Sequence, residues 1–204
     1  MRISKKKIIY LISPNNIYPQ FYQELKNILE TKKVGLFQLR LKKYTFKQKI
    51  LIGKKIHQIC KKNSVKFIVN DDPIISKKLN ADGCHLGQKD MSLVEARKIV
   101  GDKIIGITCH NSIKLAKAAI KEKASYIAFG AFFSTKTKKV KFRAKIEILN
   151  KAKKLTQTPI VAVGGINNDN YKKLILNNAN LLAISGYIWN NKKYKPLEAI
   201  KKLK

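Results

Sequence analysis

The 204-residue sequence predicts an α/β chain folded as a (β/α)8 barrel, on three observations. Eight short apolar runs recur along it, each long enough for a buried strand. Segments with helical spacing lie between them, which calls for crossover connections and therefore parallel pairing. Polar and charged residues gather just past the carboxyl ends of the runs, where parallel α/β barrels hold their ligands. The length suits one compact barrel with a substantial core. No Pro-, Gly- or Ser-rich linker breaks the chain, so residues 1–204 read as a single domain.

The strand-like runs are residues 8–13, 36–41, 66–70, 83–87, 104–109, 126–132, 159–164 and 181–186. Residues 46–57 carry apolar positions at Phe46, Ile50, Gly53 and Ile56, close to the 3.6-residue period of a helix. Residues 112–123 repeat that pattern with Ile113, Leu115, Ala116, Ala119 and Ile120. The helix after the third strand, residues 73–79, is expected to be short. It opens on Pro73, which suits a first helical position because its missing N–H would have no partner there.

Apolar content of 45% and charged content of 27% are those of an ordinary globular protein, and no apolar run approaches a bilayer span. The basic start, Met1 to Lys7, precedes a short apolar run without a small-residue cleavage site, so it reads as the lead into the first strand. A cytoplasmic location is expected. Cys60, Cys84 and Cys109 are odd in number and widely spaced, which fits free core thiols better than disulfides or zinc. The formal net charge is +32, and only four of the 44 basic residues are Arg. The lysines are dispersed in pairs and triples, without the clustering that marks a nucleic-acid footprint. The charge therefore fits solvated helix faces better than RNA binding. A positive field also speeds the arrival of phosphorylated small molecules.

The strand ends carry the chemistry. After the third strand come Asn70, Asp71, Asp72 and Pro73. Asp71 or Asp72 suits a helix cap, and either also suits a metal or a counter-charge. The second strand brings Gln38, Arg40 and Lys42 onto one face by alternation. A buried Arg needs an anionic partner, either a ligand or a structural pair with Asp71. Asp90 stands just past the fourth strand, either as a cap for the next helix or as a second carboxylate beside Asp71. Two carboxylates on adjacent strands, with cations nearby, match a magnesium-bound diphosphate. His110 ends the fifth strand and reads as a loop or packing residue. Ser134, Thr135, Lys136, Thr137 and Lys138 follow the sixth strand and suit an anion or heteroaromatic ligand. Gly164-Gly165 after the seventh strand and Ser185-Gly186 after the eighth fit a phosphate held by backbone N–H groups.

These residues resemble the thiamine phosphate synthase family over residues 10–188. The pieces are Gln38-Leu39-Arg40-x-Lys42, Ile68-Val69-Asn70-Asp71, Ala81-Asp82-Gly83-x-His85-Leu86-Gly87-Gln88-x-Asp90, Thr135-x-Thr137-Lys138 and Ala162-x-Gly164-Gly165-Ile166. The resemblance implies a TIM barrel that couples a hydroxymethylpyrimidine diphosphate with a thiazole phosphate. It implies that Asp71 and Asp90 hold Mg2+, and that Arg40, Lys42, Asn70 and Lys138 grip the diphosphate. Gln38 would orient the pyrimidine. Thr108, where the family usually has Ser, would lie near the leaving group. Thr135 and Thr137 would face the thiazole, with Gly165, Ser185 and Gly186 on its phosphate. Three places depart from the family pattern. Leu41 replaces a usually acidic residue, Ala131 and Ser134 replace prolines, and Leu181 stands where Gly is expected after Asn180.

The related TenI-like thiazole tautomerases share the barrel but use no diphosphate, so they do not need both carboxylates; His110 would be the residue to watch there. A non-catalytic basic RNA-binding protein is the reading of another class. The expected partners are phosphorylated small molecules, with no membrane, and the sequence leaves an oligomer open.

Overall fold

The apolar runs pair as expected. In this computed structural model, which describes residues 8–135 and 142–203, eight parallel strands close in sequence order into one barrel. They are β1 (Ile9–Ile12), β2 (Val34–Leu39), β3 (Lys66–Asn70), β4 (Gly83–Leu86), β5 (Ile104–His110), β6 (Tyr126–Gly130), β7 (Ile160–Val163) and β8 (Leu181–Ile184). The basic start at residues 1–7, Thr137 and Lys138 lie outside the described residues. Among the described residues, no helix is long and apolar enough to cross a membrane.

The helices are α1 (Phe21–Glu30), α2 (Phe46–Lys62), α3 (Pro73–Lys78), α4 (Leu93–Val100), α5 (Ile113–Lys121), α6 (Glu147–Leu155), α7 (Tyr171–Leu176), α8 (Gly186–Trp189) and α9 (Pro196–Lys202). Their starts are written locally. Thr45 and Gln48 cap α2 reciprocally, and Ser92 and Glu95 do the same for α4. Ser112 caps α5. Asp72 caps α3, its Oδ1 accepting the Ile75 N–H at 2.9 Å, with Pro73 at the first helical position.

Two cores result. Alternate strand residues face inward, and Tyr10, Leu36, Ile68, Tyr126, Ala128, Val161, Leu181 and Ala183 fill the barrel. The other strand faces, including Phe37, Leu39, Phe67 and Val69, pack against the helices. Cys60, Cys84 and Cys109 are free and buried, as expected.

Three boundaries differ from the sequence reading in ways that matter for the site. The second strand starts at Val34 and ends at Leu39, so Arg40 and Lys42 lie past its end and not on its face. The sixth strand ends at Gly130, leaving residues 131–135 as loop. The eighth ends at Ile184, and Gly186 opens the short helix α8.

Candidate active site

Because Asp72 and Ser92 take the capping roles, Asp71 and Asp90 are left for other work. Asp71 sits at φ +66°, a left-handed conformation that Asp tolerates better than most residues. Its N–H still donates to the His85 carbonyl at 2.8 Å, so the β3–β4 ladder fixes the turn. Its Oδ2 meets the Lys42 Nζ at 2.9 Å. Asp90 folds back over the end of β4, its Oδ2 accepting the Gly87 N–H at 2.7 Å. This places the Asp90 carboxyl beside that of Asp71, near enough for each to shift the other's protonation.

Two carboxyls this close do not ionise independently. Burial raises Asp71, but hydrogen bonding from Lys42 and Asp90 and the electrostatic influence of Lys42 and of the nearby His85 ring outweigh it, leaving Asp71 below the usual range. Asp90 is held above it, first by burial and then by the neighbouring Asp71 carboxylate, against the Gly87 N–H. The pair therefore carries a second negative charge less readily than two separate carboxylates would.

Arg40 is fixed through its backbone. Its N–H donates to Ser13 Oγ at 2.9 Å, and the same hydroxyl donates to the Arg40 carbonyl at 3.3 Å. Its guanidinium reaches Asn15 Oδ1 at 3.3 Å. Burial pushes the guanidinium down and the Asp71 charge pushes it back up. The direct ion pair with Asp71 belongs to Lys42, so the structural Arg40–Asp71 pair weighed from the sequence does not form. Asn70 and Asp71 border a cavity of about 140 Å3, together with Leu41, Lys42 and Lys49. Leu41 is buried and packs in the outer core, so the acid missing there is missing from the face away from the barrel interior.

Gln38 points into the barrel and is 3% exposed. Its Nε2 donates to Tyr10 Oη at 2.8 Å, and that phenol meets Tyr126 Oη at 2.7 Å. Tyr126 Oη meets His85 Nδ1 at 2.9 Å, and His85 Nε2 meets Thr108 Oγ1 at 2.8 Å. Gln38 and Thr108, named separately from the sequence, are the two ends of one buried chain. Tyr10, Tyr126 and His85 were given no role in the sequence reading. His85 was legible, since alternation places it on the inward face of β4 with Gly83. The phenols were not, because each sits in an apolar run where an aromatic residue reads as core.

The other strand ends differ in kind. Gly165 has φ +65°, and a Cβ there would stand 2.3 Å from the Ser134 carbonyl oxygen. The Phe133 N–H donates to the Gly164 carbonyl at 3.0 Å, so the loop after β6 is laced to the Gly-Gly turn after β7. Thr135 ends the described part of that loop, partly buried. Ser185 Oγ donates to the Ser13 carbonyl at 3.1 Å. Gly186 follows as the first residue of α8. His110, at φ +51°, lays its ring 4.6 Å from that of Phe142, the packing role expected of it.

Among the described residues no group of three His, Cys, Asp or Glu forms a metal cage. Two carboxyls forced together beside a lysine are a donor set that fits Mg2+, an ion that takes one or two carboxylates and leaves its other positions to phosphate and water.

The sequence model of the thiamine monophosphate synthase family matches residues 9–188. The thiamine-phosphate synthase of Pelagibacter ubique is 66% identical over 200 residues, covering 98% of this chain and 97% of that one. That of Rhodospirillum centenum is 39% identical over 185 residues, covering 90% and 89%. The thiamine phosphate pyrophosphorylase of Pyrococcus furiosus superposes with a TM-score of 0.86 at 26% identity, over 98% of this chain and 95% of that one. On the family match and these identities, the chain belongs to the thiamine monophosphate synthase family.

Proposed function

We propose that the carboxyl-end rim of the barrel carries out the thiamine-phosphate synthase reaction with magnesium. The methylene carbon of an aminopyrimidine diphosphate loses its bond to diphosphate oxygen. The ring nitrogen of a thiazole phosphate bonds to that carbon, giving thiamine phosphate and free diphosphate. The observation that carries this reading is the placing of the Asp71 and Asp90 carboxyls side by side, with Lys42 paired to Asp71.

Asp71 and Asp90 would hold the ion. Bound there, it would neutralise charge gathering on the leaving diphosphate. Arg40 and Lys42, with Lys138 from beyond the described residues, supply prearranged positive charge to the same oxygens. Asn70, at the end of β3, donates its amide N–H to them. Gln38 and Thr108 orient the pyrimidine. Thr135 and Thr137 face the thiazole. The backbone at Gly165, Ser185 and Gly186 takes its phosphate. Partners are thus phosphorylated small molecules, and the enzyme works in the cytoplasm, where its three thiols stay reduced.

The tautomerase reading has no use for two carboxylates side by side, and His110 turns to Phe142. An RNA-binding reading has no use for the acids at all. The test is Asp71→Ala, assayed with both substrates and magnesium for diphosphate and thiamine phosphate. Coupling is expected to fall by about 10²-fold or more, with the circular dichroism spectrum unchanged. A variant that couples at the wild-type rate removes the acid pair from the mechanism.

A further inference from the structure

The chain from Gln38 to Thr108 runs through the barrel beneath the mouth, and its geometry restricts how its protons are arranged. Each phenol carries one proton and a neutral imidazole carries one. Tyr10 and Tyr126 are fully buried, and among the described residues neither oxygen has a hydrogen-bond partner outside the chain. Each phenolic proton is therefore donated along the chain, because a buried donor left unmade is costly. Burial pushes both phenols far up, so both stay protonated.

Gln38 Nε2 donates to Tyr10. Tyr10 then gives its proton to Tyr126, and Tyr126 gives its own to His85 Nδ1. The ring proton of His85 must sit on Nε2, facing Thr108 Oγ1. The Thr108 hydroxyl accepts there and has its own proton to spare. At the other end, Gln38 Oε1 has no hydrogen-bond partner among the described residues and remains an acceptor for a ligand. Reversing the Gln38 amide reverses every bond and moves the ring proton to Nδ1. The two ends are thus tied: an acceptor over β2 goes with a donor over β5.

The site is built for this chain. A Cβ on Gly106 would fall 1.9 Å from Tyr126 Cζ, so β5 carries glycine where the ring must lie. The His85 ring stacks on that of Tyr126 at 5.6 Å and 10°.

We propose that Tyr10, Tyr126 and His85 are positioning residues that lock the polarity of the mouth, so that Gln38 presents an acceptor and Thr108 a donor. The ring bound across β2–β5 must then donate an exocyclic N–H to Gln38 and offer a ring-nitrogen acceptor to Thr108, as an aminopyrimidine does; its oxo analogue carries the donor and acceptor of that edge exchanged. This rests on the pyrimidine placement above, but its first test needs no turnover.

With 15N-labelled histidine, the three side chains are resolved by NMR and His85 is assigned by its loss in His85→Gln. The expected wild-type state is the Nε2–H tautomer. In Tyr126→Phe it becomes a mixture. The KM for the aminopyrimidine diphosphate is expected to rise about tenfold, with the KM for the thiazole phosphate unchanged and discrimination against the oxo analogue weakened. Tyr10→Phe cuts the chain earlier and is expected to reproduce the KM change, so the test survives if Tyr126→Phe does not fold. An Nδ1–H tautomer in the wild type, or a tautomer and KM unmoved by either variant, overturns the proposal. Absence of coupling in the wild type strikes the functional reading instead and leaves the tautomer result standing.

Discussion

The mouth of the barrel is divided between two arcs that solve different problems. From β2 to β5 it is built of side chains, several of them charged: Gln38, Arg40, Lys42, Asn70, Asp71, Asp90 and Thr108. From β6 to β8 its described part is built of backbone and uncharged side chains: residues 130–135, 164–168 and 185–187 include no charged side chain, the lysines of the β6 loop lying beyond the described residues. The first arc is left in conflict, with two carboxyls side by side and one held above its usual range by burial and by its neighbour. The second is held mostly through backbone: the loop after β6 is hydrogen-bonded to the turn after β7, and Ser185 is bonded to Ser13, with Tyr187 Oη left buried and without a partner among the described residues. A phosphate that stays attached throughout a reaction needs only a fixed cradle. Charge that appears on a departing group calls for poised cations and an ion held by ligands that are strained without it. The comparison teaches that local conflict marks the reacting half.

The largest expected effect breaks the comparison at its sharpest point. Asp71, held low, contributes stability above its unfolded value, and that contribution is lost as pH falls through its folded value. Asp90 works the other way: held high, it favours the folded chain in acid and opposes it as pH rises through its folded value. Asp90→Asn removes that opposition. It is expected to melt higher than the wild type at neutral pH while losing about 10²–10³-fold in coupling rate. Magnesium should raise the melting temperature of the wild type and not of the variant. Thermal scans across pH with and without the ion check this; a variant less stable at pH 7 would show that the pair is not in conflict.

An intermediate effect tests the quiet arc. Gly165→Ala places a Cβ against the Ser134 carbonyl and demands φ +65° of an L-residue. The cost is about 1–3 kcal/mol, read by denaturant titration. The KM for the thiazole phosphate should rise while that for the pyrimidine diphosphate holds. Equal changes in both would mean that the arcs are not separate sites.

The same contrast explains what the sequence made legible. The barrel was readable because alternating runs and helical segments repeat eight times. Patterning alone left Asp71 and Asp72 equivalent as caps for the helix after β3, and it was the family resemblance that named Asp71 for the ion. Only the structure shows Asp72 taking the Ile75 N–H and leaving Asp71 to Lys42. Asp90 posed the same ambiguity until Ser92 proved to be the cap. Gln38 and Thr108 were readable singly, but their connection runs through two phenols buried among apolar neighbours. That link depends on barrel closure, which brings Tyr10 of β1 against Tyr126 of β6, 116 residues apart. Local patterning does not encode it.

The smallest expected effect concerns the joint between the arcs. Ser13 is 2% exposed and stands at the end of β1, with β2 on one side and β8 on the other. Its hydroxyl accepts from the Arg40 N–H and donates to the Arg40 carbonyl, while its own carbonyl accepts from Ser185. Ser13→Ala keeps the last of these and removes both bonds to Arg40. The part-buried Arg40 N–H is left without that partner, at about 1 kcal/mol. If the arcs act separately, the loosened Arg40 weakens grip on the diphosphate alone, a change of a few-fold in one KM. If Ser13 couples them, the KM for the thiazole phosphate moves as well, because Ser185 rides on the same residue. Ser185→Ala separates the cases, since it cuts the β8 bond and leaves Arg40 held. Independence predicts opposite selectivity in the two variants, and coupling predicts the same pattern in both.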